Sequence, residues 1–182
     1  MIPAALLACA PNVAPVTLEA VIRVESGGDP LALHVNGVRV QPARGRNTKE
    51  VAAIAESSIR HGDSVDLGLM QVNSGNLAAF GATITDVLDP CTNIRIGAAI
   101  LTADYAAVAR ARGEGQPALQ AALSAYNSGN FVRGFANGYV ARIIGPGAAG
   151  TVIGRPTPSF PPDPYNADTP VLVREASHVR IE

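Results

Sequence analysis

Val21, Ile22 and Glu25 follow Leu18 at offsets of three, four and seven, which puts all four side chains on one face of a helix. The helix is entered after Val13-Ala14-Pro15-Val16-Thr17 and stopped by Gly27-Gly28. Leu31 to Val35 and Val38 to Val40 then flank Asn36-Gly37, the dipeptide favoured in tight two-residue turns, so a small β-hairpin is expected there. Asn47 with Glu50 three residues on predicts a capped helix through about Ile59, closed by Gly62. Residues 65 to 73 read as an extended, glycine-interrupted segment, followed by a short helix around Gly75 to Phe80 and a further turn capped by Thr85 and Asp86. Ile94, Ala98, Leu101, Tyr105 and Val108 keep helical period, which makes Cys91 to about Arg112 the longest helix. Pro117 opens another, through Leu119 and Leu123 to about Tyr126, with Gly129 beyond its end, and Tyr139 to Ile144 forms a last short one.

After Gly145 the periodicity stops, and Pro146, Pro156, Pro158, Pro161, Pro162, Pro164 and Pro170 crowd the remainder. The expected organisation is therefore one domain over 1–145, mainly α with a small β-hairpin, and a Pro-rich, flexible tail over 146–182. A length of 182 residues suits one domain with a sizeable core.

With 16% charged residues and a formal net charge of -1, nothing draws the chain to nucleic acid or to an anionic membrane surface. No apolar run approaches the roughly 18 residues that a membrane-spanning helix needs. Met1 to Cys9 is apolar, but no Lys or Arg occurs before Arg23. That segment is accordingly read as the first helix of the domain rather than as a complete signal peptide. Cys9 and Cys91 are the only cysteines. Spacing alone leaves open two buried thiols or a disulfide. Both stand at helix-start signals, and a disulfide joining the first helix to the start of the longest one is the expectation taken forward.

Glu25 is the most informative residue for chemistry. It falls on the apolar face and in the last turn of its helix, and desolvation and the negative end of the helix dipole both disfavour its anion. A carboxylic acid kept protonated is what a glycosidase needs to protonate a leaving oxygen, although a helix-end carboxylate pointing to water reads the same in sequence. His34, His61 and His178 are scattered, with no Cys or acid near them at ligand spacing, so no metal or other cofactor is expected. Ser26, Ser74 and Ser128 lack the glycine-bracketed elbow of a hydrolase nucleophile.

Glu25-Ser26-Gly27-Gly28, Gly68-Leu69-Met70-Gln71-Val72 and Ala125-Tyr126-Asn127-Ser128-Gly129, in that order, resemble the three signature motifs of the soluble lytic transglycosylase family, which is goose-lysozyme-like. The resemblance covers roughly residues 9 to 144. Cys9-Ala10-Pro11 and Asp89-Pro90-Cys91 further resemble the subgroup that accompanies type IV secretion and conjugation systems. It implies a lysozyme-like (α+β) single domain, with Glu25 as catalytic acid and later base and Ser26 supporting it. Met70, Gln71, Tyr126 and Asn127 would contact the sugar, with Tyr139 a less specific late tyrosine. It also implies peptidoglycan glycan strands as substrate, a periplasmic or cell-envelope setting, and apparatus proteins as partners.

An ordinary glycosidase needs a second carboxylate near the first. None stands inside the three motifs, and Asp63 and Asp66 are the nearest acids to the glutamine segment. The family resemblance implies a reaction without one: the N-acetyl group of the muramyl sugar stabilises the developing cation, and its 6-hydroxyl closes onto the anomeric carbon to give a 1,6-anhydromuramyl end. The competing expectations are a hydrolytic lysozyme or phage-type lysin, with Asp66 positioning a water, and a peptidoglycan-binding assembly factor that does not cut.

Overall fold

A computed structural model describes residues 2–145; the expected tail over 146–182 lies outside the described residues. The chain falls into two compact units with their boundary between Ala99 and Ile100. Among the described residues, no helix is long and apolar enough to cross a membrane.

The first unit opens with α1 (Ala4–Leu7) and α2 (Pro15–Ser26). Pro15 sits at the start of α2, where its missing N–H has no helical partner to lose, and Gly27 ends the helix at φ 66°. Leu18, Val21 and Ile22 are fully buried, as the periodicity requires. α3 (Thr48–Arg60) starts on Asn47, whose side chain accepts the Glu50 N–H at 3.0 Å. A 3-10 helix over Ser74–Phe80 and α4 (Ile84–Val87) follow. The residue that caps α4 is Thr83, in a reciprocal box with Asp86, and Thr85 lies inside the helix.

The sheet corrects the expected hairpin. β1 (Leu33–Val35) pairs antiparallel with β2 (Val65–Leu67) in the register Leu33 to Leu67 and Val35 to Val65, and β2 pairs with β3 (Val72–Asn73). Val38 to Val40 form no strand. Val40 is 80% exposed and offers no burial to reward pairing. The free edge of β1 is satisfied instead by one side chain: Gln41 Oε1 accepts from Val35 N and Gln41 Nε2 donates to Val35 O, both at 2.8 Å. The hairpin of this fold is β2–β3, closed by Gly68 to Gln71.

α5 (Pro90–Arg112) is the longest helix, and Asp89 Oδ1 accepts the Thr92 N–H at 2.8 Å at its start. Cys91, in its first turn, is disulfide-bonded to Cys9, just beyond α1. In the second unit α6 (Gln116–Ser128) ends on Gly129 at φ 65°, and α7 (Arg133–Ala136) and α8 (Tyr139–Ile144) follow. Val108, Ala118, Ala121, Ala125 and Phe131 form its core. α7 comes so close to α6 that a Cβ on Gly134 would stand 2.6 Å from Ser124 Cα, and the Gly134 N–H donates to Ser124 Oγ at 2.8 Å. The mainly helical α+β class expected from the sequence is present.

Candidate active site

The last turn of α2 carries Glu25 and Ser26 to the edge of a cavity of about 390 Å³. Glu25 is half-buried. Its cavity is walled by the turn after α2 (Asp29), by Leu31 to His34, by residues 42–45, by Val51 and Ile54 of α3, and by Gln71. Two of the three sequence motifs thus meet here, although about 45 residues separate them along the chain.

Ser26 makes that meeting rigid. Its hydroxyl donates towards Leu69 O at 2.8 Å and Ile22 O at 3.1 Å, and accepts the Gly28 N–H at 3.2 Å. The end of α2 is therefore pinned to the β2–β3 turn, and the Ser26 hydroxyl is committed to the protein.

The turn itself depends on Asn93, a residue of α5 that is 1% exposed. Asn93 Oδ1 accepts the Met70 N–H at 2.7 Å, while Nδ2 donates to Leu67 O at 2.8 Å and to Val87 O at 2.9 Å. Gln71 follows at φ 46°, the one non-glycine residue in the left-handed region among the described residues. Such a conformation costs about 1 kcal/mol or more. It is held by Gln71 N donating to Gly68 O at 3.1 Å, and by Nε2 donating to Gly68 O at 3.0 Å and Ala32 O at 3.3 Å. Both side-chain donors are thereby directed at the protein, and Oε1 is the atom left to accept from a ligand.

Met70 is fully buried and is not among the residues that line this cavity. The apolar part of the cavity wall includes Leu31, Leu33, Val51 and Ile54. Tyr126, Asn127 and Tyr139 belong to the second unit. Tyr126 and Tyr139 are buried there, with the Arg142 guanidinium 5.8 Å from the Tyr139 ring centroid. Asn127 Oδ1 accepts Asn137 Nδ2 at 2.8 Å.

Asp66 is not placed to position a water in this cavity. It is buried in β2, where Oδ1 accepts Asn73 Nδ2 at 2.8 Å and Oδ2 accepts Asn36 Nδ2 at 3.1 Å. Asp63 does not line the cavity either. The acid that does so beside Glu25 is Asp29, which sequence reasoning passed over. Its Oδ1 accepts the Leu31 N–H at 2.9 Å and its Oδ2 pairs with Arg44. The Asp29-Pro30 dipeptide after two glycines was a readable turn signal; the partnership with Arg44 was not. Among the described residues no group of three or more His, Cys, Asp or Glu is arranged to hold a metal ion.

Comparison with known proteins adds ancestry to this geometry. A family model described as a transglycosylase SLT domain matches residues 4–142. The protein virB1 of Agrobacterium fabrum is 42% identical over 135 residues, covering 74% of this chain and 54% of that protein. The type IV secretion system protein virB1 of Brucella abortus is 41% identical over 140 residues, covering 74% of this chain and 58% of that protein. The chain thus spans little more than half the length of these curated relatives. No solved structure matches the chain significantly.

Proposed function

Because the chain belongs to the transglycosylase SLT domain family, we propose that it is a peptidoglycan lytic transglycosylase with Glu25 as its acid. The observation that carries the proposal is that Glu25 and Gln71, from two separate motifs, line one cavity and are tied together through the hydrogen bond from Ser26 to Leu69.

Glu25, protonated, gives its proton to the glycosidic oxygen that leaves the muramyl anomeric carbon. The muramyl N-acetyl group stabilises the cation that develops. Glu25, now a carboxylate, takes the proton of the 6-hydroxyl as that oxygen closes onto the anomeric carbon, and the strand ends in a 1,6-anhydromuramyl sugar. Gln71 Oε1 accepts from the sugar. Tyr126, Asn127 and Tyr139 stand as substrate-binding candidates on motif grounds alone.

Two features favour this over a hydrolytic lysozyme. Asp66 is occupied inside the sheet. Asp29, the second acid at the cavity, is bound to Arg44 and to a backbone N–H, which leaves it poorly disposed to attack a sugar or to activate water. The virB1 relatives, one of them named as a type IV secretion system protein, support a setting in the cell envelope, where such cleavage opens the wall for a secretion or conjugation apparatus.

Mass spectrometry of muropeptides released from purified sacculi tests the reaction. Anhydro ends, lighter by one water than hydrolytic ends, are expected. Reducing ends alone would replace this mechanism with hydrolysis, and no release at all would favour a binding role.

A further inference from the structure

Among the described residues, Arg44 is the only Lys or Arg that lines the Glu25 cavity. It sits between two fixed points. Gln41 is clamped to both backbone groups of Val35, and Gly45 lies so close to α3 that a Cβ there would stand 2.7 Å from Val51 Cγ2 and 2.9 Å from Val51 N. One terminal nitrogen of Arg44 pairs with Asp29, yet the Arg44 side chain remains 75% exposed. A guanidinium has five N–H donors in a planar fork, so one edge can stay on Asp29 while the rest faces an incoming acceptor.

We infer that Arg44 is a specificity residue that binds a carboxylate on the 3-oxygen substituent of the muramyl sugar. This rests on the reading of the cavity as a glycan site. Only the muramyl sugars of such a strand carry a lactyl ether at that oxygen. Its carboxyl is either free or continued into a stem peptide with carboxylates of its own. Both sources present the same chemistry to a guanidinium fork.

The test reads binding in the Glu25→Gln background, so that nothing is turned over. Calorimetry compares three soluble muramyl glycan fragments: one bearing peptides, one trimmed to free lactyl carboxylates, and one bearing peptides with every carboxylate capped as a neutral amide. Arg44→Ala should weaken binding of a carboxylate-bearing fragment by about tenfold, the scale of a charge-assisted hydrogen bond, and leave the capped fragment unaffected. Loss on the peptide-bearing fragment alone assigns the stem, and loss on the trimmed fragment alone assigns the lactyl group. Asp29→Asn, which breaks the ion pair and keeps Arg44, should retain the preference for carboxylate. Equal loss on all three fragments, or an Asp29→Asn variant that reproduces Arg44→Ala, would reduce Arg44 to a staple of its loop and overturn the inference, as would no loss anywhere. Failure of the Glu25→Gln protein to bind any fragment would instead sink the glycan-site reading itself, and Arg44's role with it.

Discussion

The carboxamide of Asn93 fills the space that a side chain on Gly68 would need: a Cβ there would fall 2.3 Å from Asn93 Nδ2. The two residues lie on different elements and together shape the turn that delivers Gln71 to the cavity. Gly68 supplies φ 72°, and Asn93 binds Met70 N and Leu67 O on either side of it.

Gly68→Ala should therefore suffer twice, from a left-handed backbone and from displacement of Asn93. A loss of about 2–4 kcal/mol is expected in urea unfolding. Asn93→Ala, which removes the hydrogen bonds to Met70 N, Leu67 O and Val87 O in the core, should lose about 1–3 kcal/mol. Either variant unfolding at the parent midpoint would contradict the role assigned to this contact.

Glu25→Gln keeps the shape of the side chain and removes its transferable proton. Release of anhydromuropeptides should drop by about 10²–10⁴-fold. Thermal stability should stay within about 0.5 kcal/mol of the parent or rise, because a half-buried amide costs no more to desolvate than a carboxylate. Release at near the parental rate would remove Glu25 from the mechanism.

The Cys9–Cys91 bond closes a loop with a sequence separation of 82. Replacing both cysteines with serine should cost about 2–4 kcal/mol, mostly by freeing the unfolded chain. Thiol titration of unreduced protein should find no reactive cysteine. Two titratable thiols, or an unfolding midpoint that ignores reductant, would count against the bond.

The pKa of Glu50 is lowered, first by the backbone N–H of Arg46 and then by its side chain, with desolvation opposing them and Asn47 adding the least. A folded-state pKa below the unfolded one means stabilisation that is present above the unfolded value and lost as pH falls through the folded value. Glu50→Gln should accordingly lower the melting temperature at neutral pH, and the gap from the parent should close in acid. A gap that widens on acidification would show the sign to be wrong.

What the sequence determined by itself was local. Leu18, Val21, Ile22 and Glu25 share a helical face because the period of the helix is set within the segment, and Asn47 caps α3 because its acceptor reaches a donor three residues on. Motif order picked out Glu25, Ser26 and Gln71, and all three line the cavity. What only the tertiary structure decided was pairing at a distance. Asn36-Gly37 promised a hairpin with Val38 to Val40, but turn chemistry cannot say which strand offers burial, and Val65 to Leu67 does so while Val40 stays in solvent. Asn93 reads in sequence as an ordinary polar helix residue, and its value lies in carbonyl and amide groups 6 to 26 residues away. Asp29 and Arg44 likewise meet only once the loop after β1 has folded back to line the cavity. Their ion pair depends on packing that no local pattern encodes.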